Sequence, residues 1–266
     1  VETVQTKTHL NDRITPYQLY LKLLYEYFKA DLSLDPNLFY QNVPIGFMKL
    51  KYQEQAVINA KKILDEYGGV FLADVVGLGK TYMAVLLANQ LPGRNLVIAS
   101  PALLNKENPN SWPNVFHDFK IAAEFESIGK LDKIIERGTD RYDNVFIDEA
   151  HKFRNENNVS YENLSAICRG KKVILITATP LNNSPLDILS QIKLFQKAKN
   201  STIPGIKNLE HFFGSLQRRL QNLDRKKDYE AYMNIVKDNA AQIRDKVLKH
   251  IMVRRTRKEI DTYFKE

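Results

Sequence analysis

The chain predicts an α/β fold: a parallel sheet with helices on both faces, followed by a mostly helical C-terminal extension. Three observations carry that prediction. Short strand-like runs at 70–72, 95–99, 123–127, 145–147 and 173–176 alternate with helix-like stretches. Most of the runs are almost continuously apolar, as strands covered on both faces must be. Every stretch with the composition to do chemistry falls just after such a run, at the carboxyl end of a strand, where parallel sheets bind their ligands.

The elements can be taken in chain order. Residues 1–12 are polar and read as loosely ordered. Thr15-Pro16 is a helix start, with threonine as cap and proline in the first turn. Tyr17, Tyr20, Leu21, Leu24, Tyr25 and Phe28 follow at helical spacing, a stripe that reads as packing. Asp31 to Pro44, with Pro36 and several Asn and Asp, reads as a linker. A second helix runs from Lys49 through Tyr52, Ala56, Ala60, Ile63 and Leu64, and Gly68-Gly69 ends it. Between the apolar runs, helices are predicted near 80–91, 130–137 and 159–168. After Pro185, residues 186–197 and 208–260 read as helices rich in Lys and Arg. Their basic run of Arg218, Arg219, Arg225, Lys226 and Lys227 reads first as a solvated helix face. The organisation expected is a helical and linker segment over 1–44, a nucleotide-binding lobe over 45–200 and a helical extension over 201–266.

Bulk properties narrow the function classes. The 266 residues are 44% hydrophobic, enough for a substantial core. Lys and Arg number 39 against 31 Asp and Glu, a net charge of +8. That balance admits a polyanionic partner such as nucleic acid, and equally a generally basic surface. Cys168 is the single cysteine, so no disulfide can form within the chain, and a reducing, cytoplasmic setting is expected. No apolar run reaches bilayer length and no signal peptide opens the sequence, so no membrane partner is expected. The start at Val1 rather than Met leads to the expectation of a piece of something longer.

Three strand ends carry the chemistry. Gly69-Val70-Phe71-Leu72 leads into Ala73-Asp74-Val75-Val76-Gly77-Leu78-Gly79-Lys80-Thr81 and then an apolar helix. A strand, a glycine turn and a helix in that order form a phosphate cradle. The glycines let backbone N–H groups face inward, and the helix N-terminus adds partial positive charge. Lys80 would reach the β- and γ-phosphates, and the Thr81 hydroxyl would ligate Mg²⁺. Asn144-Val145-Phe146-Ile147-Asp148-Glu149-Ala150-His151 is a strand ending in two acids. A nucleotide hydrolase needs one carboxylate to hold Mg²⁺ through water and one to activate the attacking water, roles that fit Asp148 and Glu149. No Cys or His lies near His151 at zinc spacing, so it is not expected to bind metal. Val173-Ile174-Leu175-Ile176 ends in Thr177-Ala178-Thr179-Pro180. Its hydroxyls are placed to bond the acids and sense the γ-phosphate, or merely to cap the next element.

Together these stretches resemble the first RecA-like lobe of a helicase superfamily 2 ATPase, and more narrowly the Swi/Snf-like branch, whose members translocate on double-stranded DNA. Leu50-Lys51-Tyr52-Gln53 resembles the glutamine motif, which implies that Gln53 reads the adenine edge. Asp74 through Thr81 resembles that branch's phosphate loop, and the nucleotide contacts implied are Asp74, Gly77, Leu78, Gly79, Lys80 and Thr81. Leu96 through Leu104 resembles the next motif, whose loop touches the DNA backbone, which implies contacts at Ser100 and Pro101. Asp148-Glu149-Ala150-His151 is similar to the DEAH box. Thr177-Ala178-Thr179-Pro180 is similar to the third motif, so His151, Thr177 and Thr179 take the coupling role between ATP state and DNA. Ile251-Met252-Val253-Arg254-Arg255-Thr256-Arg257 is similar to an arginine stretch that follows the first lobe. The resemblance covers about residues 45–260 and implies ATP and Mg²⁺ as cofactors, double-stranded DNA as substrate track and a second RecA-like lobe in cis. Alone, these residues are expected to bind ATP weakly and hydrolyse it slowly or not at all. Three other readings stay open: an RNA-directed DEAH helicase, the motor of a restriction or phage-defence nuclease with its nuclease fused or in trans, and a binding module gated by nucleotide without hydrolysis.

Overall fold

In the structure, a computed structural model, the residues described are 39–40, 43–73, 79–153, 156, 158–177, 184–223 and 227–254. The chain divides into two units, 1–41 and 42–266. Of the first, only Phe39 and Tyr40 are described, with their rings edge to face and centroids 4.9 Å apart. The helix predicted from Thr15 and most of the predicted linker therefore lie outside the described residues.

The second unit begins with helix α1 (Lys51–Tyr67). It buries Gln53, Ala56, Val57, Ala60, Leu64 and Tyr67, one face of a 3.6-residue repeat. Gly68 ends it at φ 76°, its N–H donating to the Leu64 carbonyl at 2.9 Å. The second glycine of the pair has a different cause. A Cβ on Gly69 would stand 2.2 Å from the Phe195 ring, so only glycine lets that ring lie against the first strand.

Strand β1 (Gly69–Leu72), helix α2 (Lys80–Asn89), β2 (Asn95–Ala99), α3 (Pro101–Leu104), α4 (Trp112–Asp118), β3 (Ala123–Ser127), α5 (Leu131–Glu136), β4 (Asn144–Asp148), α6 (Val159–Cys168) and β5 (Lys172–Ile176) follow. The strands form one wholly parallel sheet in the order β3-β2-β4-β5-β1, with a sixth strand, described below, beyond β1. β1, β2 and β4 are buried throughout. β3, at the edge, is only half-buried, and its Glu124 and Glu126 meet Arg141 and Arg137 at 3.8 and 3.5 Å. The two helices in 101–118 are absent from the sequence-based expectation; each is short, and proline stands in the first turn of both.

The C-terminal region is helical, as expected, but its path is not one long helix. Helix α7 (Pro185–Ile192) is followed by turns, α8 (Leu209–Gln221) and α9 (Tyr229–Ile243). A π-helical turn, Arg244–Leu248, leads into α10 (Lys249–Ile251) and then strand β6 (Met252–Val253). β6 pairs in parallel with β1, Phe71 opposite Met252 and Leu72 opposite Val253. Within the span 208–260 expected to be helical, α8 ends at Gln221, α9 begins at Tyr229 and the last helix ends at Ile251. Pairing with the open edge of β1 overrides the helical pattern at Met252 and Val253, a stretch too short for periodicity to reveal. Phe213, Leu216, Ile243, Val247 and Leu248 share one core with Phe71, Val145 and Leu175, so the helices pack into the sheet's own core.

Candidate functional site

The sheet order sets the site. β5 lies between β1 and β4, so the segments leaving these three strands meet along one carboxyl edge. The Ala73 N–H donates to the Val253 carbonyl at 3.0 Å, and the Thr177 N–H to the Leu72 carbonyl at 3.1 Å. These bonds tie the entry to the glycine turn to β6 on one side and β5 on the other.

Gly79, at φ 79° and ψ 40°, precedes α2, whose first two residues are the half-buried Lys80 and Thr81. Two features favour glycine there. The backbone is left-handed, and a Cβ would stand 2.9 Å from Gln53 Nε2. Gln53 is buried, and its Oε1 has no hydrogen-bond partner among the described residues. A buried amide oxygen left unmatched is costly, and one beside a candidate phosphate turn suits a donor supplied by a ligand. Tyr82, in the first turn of α2, belongs to a cluster of three aromatic rings. Phe47 packs on Tyr82 and Phe119 with centroids 5.7 and 5.2 Å apart. Asp74, Gly77 and Leu78 lie outside the described residues.

Asp148 ends β4 and is buried. Its Oδ2 accepts the Trp112 indole N–H at 2.9 Å, and its Oδ1 accepts the Glu149 backbone N–H at 2.9 Å. Burial is the strongest influence on this carboxyl and pushes it above the ordinary carboxylate range. The two N–H donors and the positive charge of Lys80 draw it back down, while the Glu149 charge pushes it up. Each Asp148 oxygen accepts one bond from the protein and keeps a lone pair for a further donor or a cation's water shell.

Glu149 turns the chain away from the strand at φ 55°, a left-handed geometry it shares among described non-glycine residues only with Lys120. Such a residue carries roughly 1–3 kcal/mol of strain, which the surroundings must offset. The turn leaves the Glu149 side chain partly exposed, with Oε2 3.2 Å from His151 Nε2. His151 Nδ1 lies 3.4 Å from the buried Thr177 Oγ1. Which ring nitrogen donates depends on the tautomer, but both nitrogens of His151 face a polar partner. Glu149, His151 and Thr177 thus form one polar chain from the acid of β4 to the end of β5. Thr179 lies outside the described residues. Ser100 and Pro101 sit at the end of β2, on the same edge, as the cap and first residue of α3, with Pro101 exposed.

Trp112 is the site residue that sequence reasoning missed. The signal available was that it is the only tryptophan in the chain and starts a helix; nothing local links it to Asp148, 36 residues away. A cavity of about 850 Å³ opens at the opposite, amino edge of the strands, between Gly68, Pro92, Asp143, Arg169 and Lys172, and plays no part in this constellation. Among the described residues no helix is long and apolar enough to cross a membrane.

A parallel sheet with a lysine-bearing helix start and a carboxylate strand end on one edge is the RecA-like α/β class. The family described as the SNF2-related domain matches residues 101–266, well over half of the chain, and the chain belongs to that family. It is 29% identical over 157 residues to the uncharacterized ATP-dependent helicase YqhH of Bacillus subtilis (strain 168), covering 52% of this chain and 28% of that protein. It is 27% identical over 195 residues to Protein CHROMATIN REMODELING 19 of Arabidopsis thaliana, covering 58% and 24%. The chain therefore spans about a quarter of the length of these relatives. In fold it is similar to the Sulfolobus solfataricus SWI2/SNF2 ATPase core in complex with dsDNA, with a TM-score of 0.54 and 18% identity over 81% of this chain and 46% of that one.

Proposed function

We propose that this chain is the first RecA-like lobe, spanning about 45–200 with the helices of 201–266 as its extension, of an ATP-driven motor that moves along double-stranded DNA. The observation that carries the reading is the meeting, on one sheet edge, of Lys80 at a helix start and the buried Asp148 that feels its charge, with Glu149 beside it. The family supports ATP use, and the fold likeness is to a core captured with duplex DNA.

In this reading Gln53 presents its unmatched Oε1 and its Nε2 to the adenine edge. The glycine turn (Asp74, Gly77, Leu78, Gly79) supplies N–H groups to the phosphates, and Lys80 adds a positive charge. Thr81 and Asp148 hold Mg²⁺, Asp148 partly through water; the ion supplies charge neutralisation at the phosphate oxygens. Glu149 orients the attacking water and takes its proton. His151, Thr177 and Thr179 relay the state of that site across β5 toward the track. Ser100 and Pro101 contact the DNA backbone, so binding is sequence-independent and weakens with salt. A second RecA-like lobe in the intact protein completes the site, and an arginine it supplies contributes about three to five orders of magnitude in rate.

The test is calorimetric titration of the chain with Mg·ATP, repeated on Lys80→Ala, with ATP turnover measured alone, with duplex DNA and with single-stranded RNA. Binding that weakens about tenfold to a hundredfold in Lys80→Ala is expected, from the loss of a charge-assisted contact. Stimulation by duplex DNA is expected in the intact protein. Lys80-independent binding would overturn the nucleotide site, and stimulation by RNA alone would turn the reading to an RNA-directed helicase.

A further inference from the structure

The indole of Trp112 is the side-chain donor on Asp148. Both groups are buried, Trp112 to 2% exposure and Asp148 to 8%. The helix that carries the indole is docked by aromatic contacts on the strand that carries the acid. Phe116 of α4 stands edge-on to Phe146 of β4 at 6.2 Å and to Phe125 of β3 at 5.6 Å, and tilts against Trp112 at 6.1 Å. Phe146 is two residues before Asp148, so the indole and the carboxylate are positioned by one shared cluster.

An indole N–H donates and cannot accept. It therefore fixes which way Oδ2 points. The Glu149 amide holds Oδ1 by the opposite side. With one donor on each oxygen, the carboxylate cannot rotate without breaking a buried hydrogen bond.

We propose that Trp112 is the positioning residue for the magnesium carboxylate: it holds Asp148 in the orientation that receives Mg·nucleotide. This rests on the nucleotide-site reading above. Partners that orient a metal-binding group typically matter about tenfold to a hundredfold in metal affinity. Because Trp112 is the only tryptophan, the protein's intrinsic emission also becomes a direct report on that carboxylate.

The experiment uses the whole 266-residue chain. Tryptophan emission is recorded while ATP is added first with EDTA and then with excess Mg²⁺, and binding is followed in parallel by calorimetry. The expected result is an emission change that appears with Mg·ATP, is absent or much smaller with ATP and EDTA, and is lost in Asp148→Asn. Trp112→Phe, which keeps a buried ring and removes the N–H, is expected to raise the Mg²⁺ concentration for half-maximal nucleotide binding by about tenfold or more, leaving ATP–EDTA affinity at the wild-type value. A variant that merely misfolded would lose both. If calorimetry shows Lys80-dependent Mg·ATP binding while emission stays flat, or if Trp112→Phe has wild-type Mg²⁺ dependence, the role of Trp112 is overturned and the nucleotide site stands. If no Lys80-dependent binding is found, the nucleotide reading falls and takes this inference with it.

Discussion

At the carboxyl edge of the sheet, the polar atoms around Asp148 and His151 are matched one at a time. Asp148 has an indole on one oxygen and an amide on the other, and His151 is lodged between Glu149 and Thr177. The helices from Pro185 to Ile251 are held differently. Phe213, Leu216, Ile243 and Val247 are buried by bulk in a shared apolar core, while pairs such as Arg219–Asp238 lie on the exposed surface. The contrast separates two kinds of sensitivity. A lost hydrogen bond at the edge alters chemistry with little change in volume, and a lost methyl group among the helices alters stability with little change in chemistry.

The largest effect expected is from Glu149→Gln. It should leave Mg·ATP binding intact and lower turnover by about 10²–10⁴, the usual worth of a general base. Single-turnover measurement on the intact protein checks this, and near-normal turnover would move water activation to another residue. Next, Phe213→Ala removes a fully buried ring and should cost about 3–5 kcal/mol in urea denaturation. Its folded fraction should bind Mg·ATP with unchanged affinity; a large affinity change would mean that helices and edge are not separable. Asn208→Ala deletes the side chain that accepts the His211 N–H at the start of α8 and should cost about 1 kcal/mol, again without touching nucleotide binding.

The smallest effect concerns pH. Partial burial, and secondarily the charge of Lys249, hold the His250 imidazole below its ordinary value of 6.5, with Glu66 opposing. The unfolded chain therefore binds the proton more readily than the folded one. The contribution is intact above the unfolded value and is lost as pH falls through the folded one. His250→Gln should flatten the fall in urea midpoint between neutral pH and pH 5, and an unchanged slope would place the acid sensitivity elsewhere.

Much of this edge was legible from residue order. The strand β1, the left-handed Gly79 and the helix start at Lys80 follow from residues adjacent in sequence, whereas the left-handed turn at Glu149 does not announce itself in its residue type. Gly68 as a helix end was equally legible. Gly69 was not, because the reason for it is the Phe195 ring. The strand at Met252–Val253 was also hidden. Two residues have no period, and what recruits them is the unpaired edge of β1.

The amino-acid sequence by itself determined that β1, β2, β4 and β5 would be buried and that strand ends would carry a lysine, two acids and a threonine, because burial pattern and turn chemistry act over a few residues. Only the tertiary structure decided that β5 lies between the lysine strand and the acid strand, that β6 closes the sheet beside β1, and that Trp112 rests on Asp148. Those outcomes depend on pairing and packing between distant segments, where the free energy belongs to the contact and leaves no mark on either segment alone.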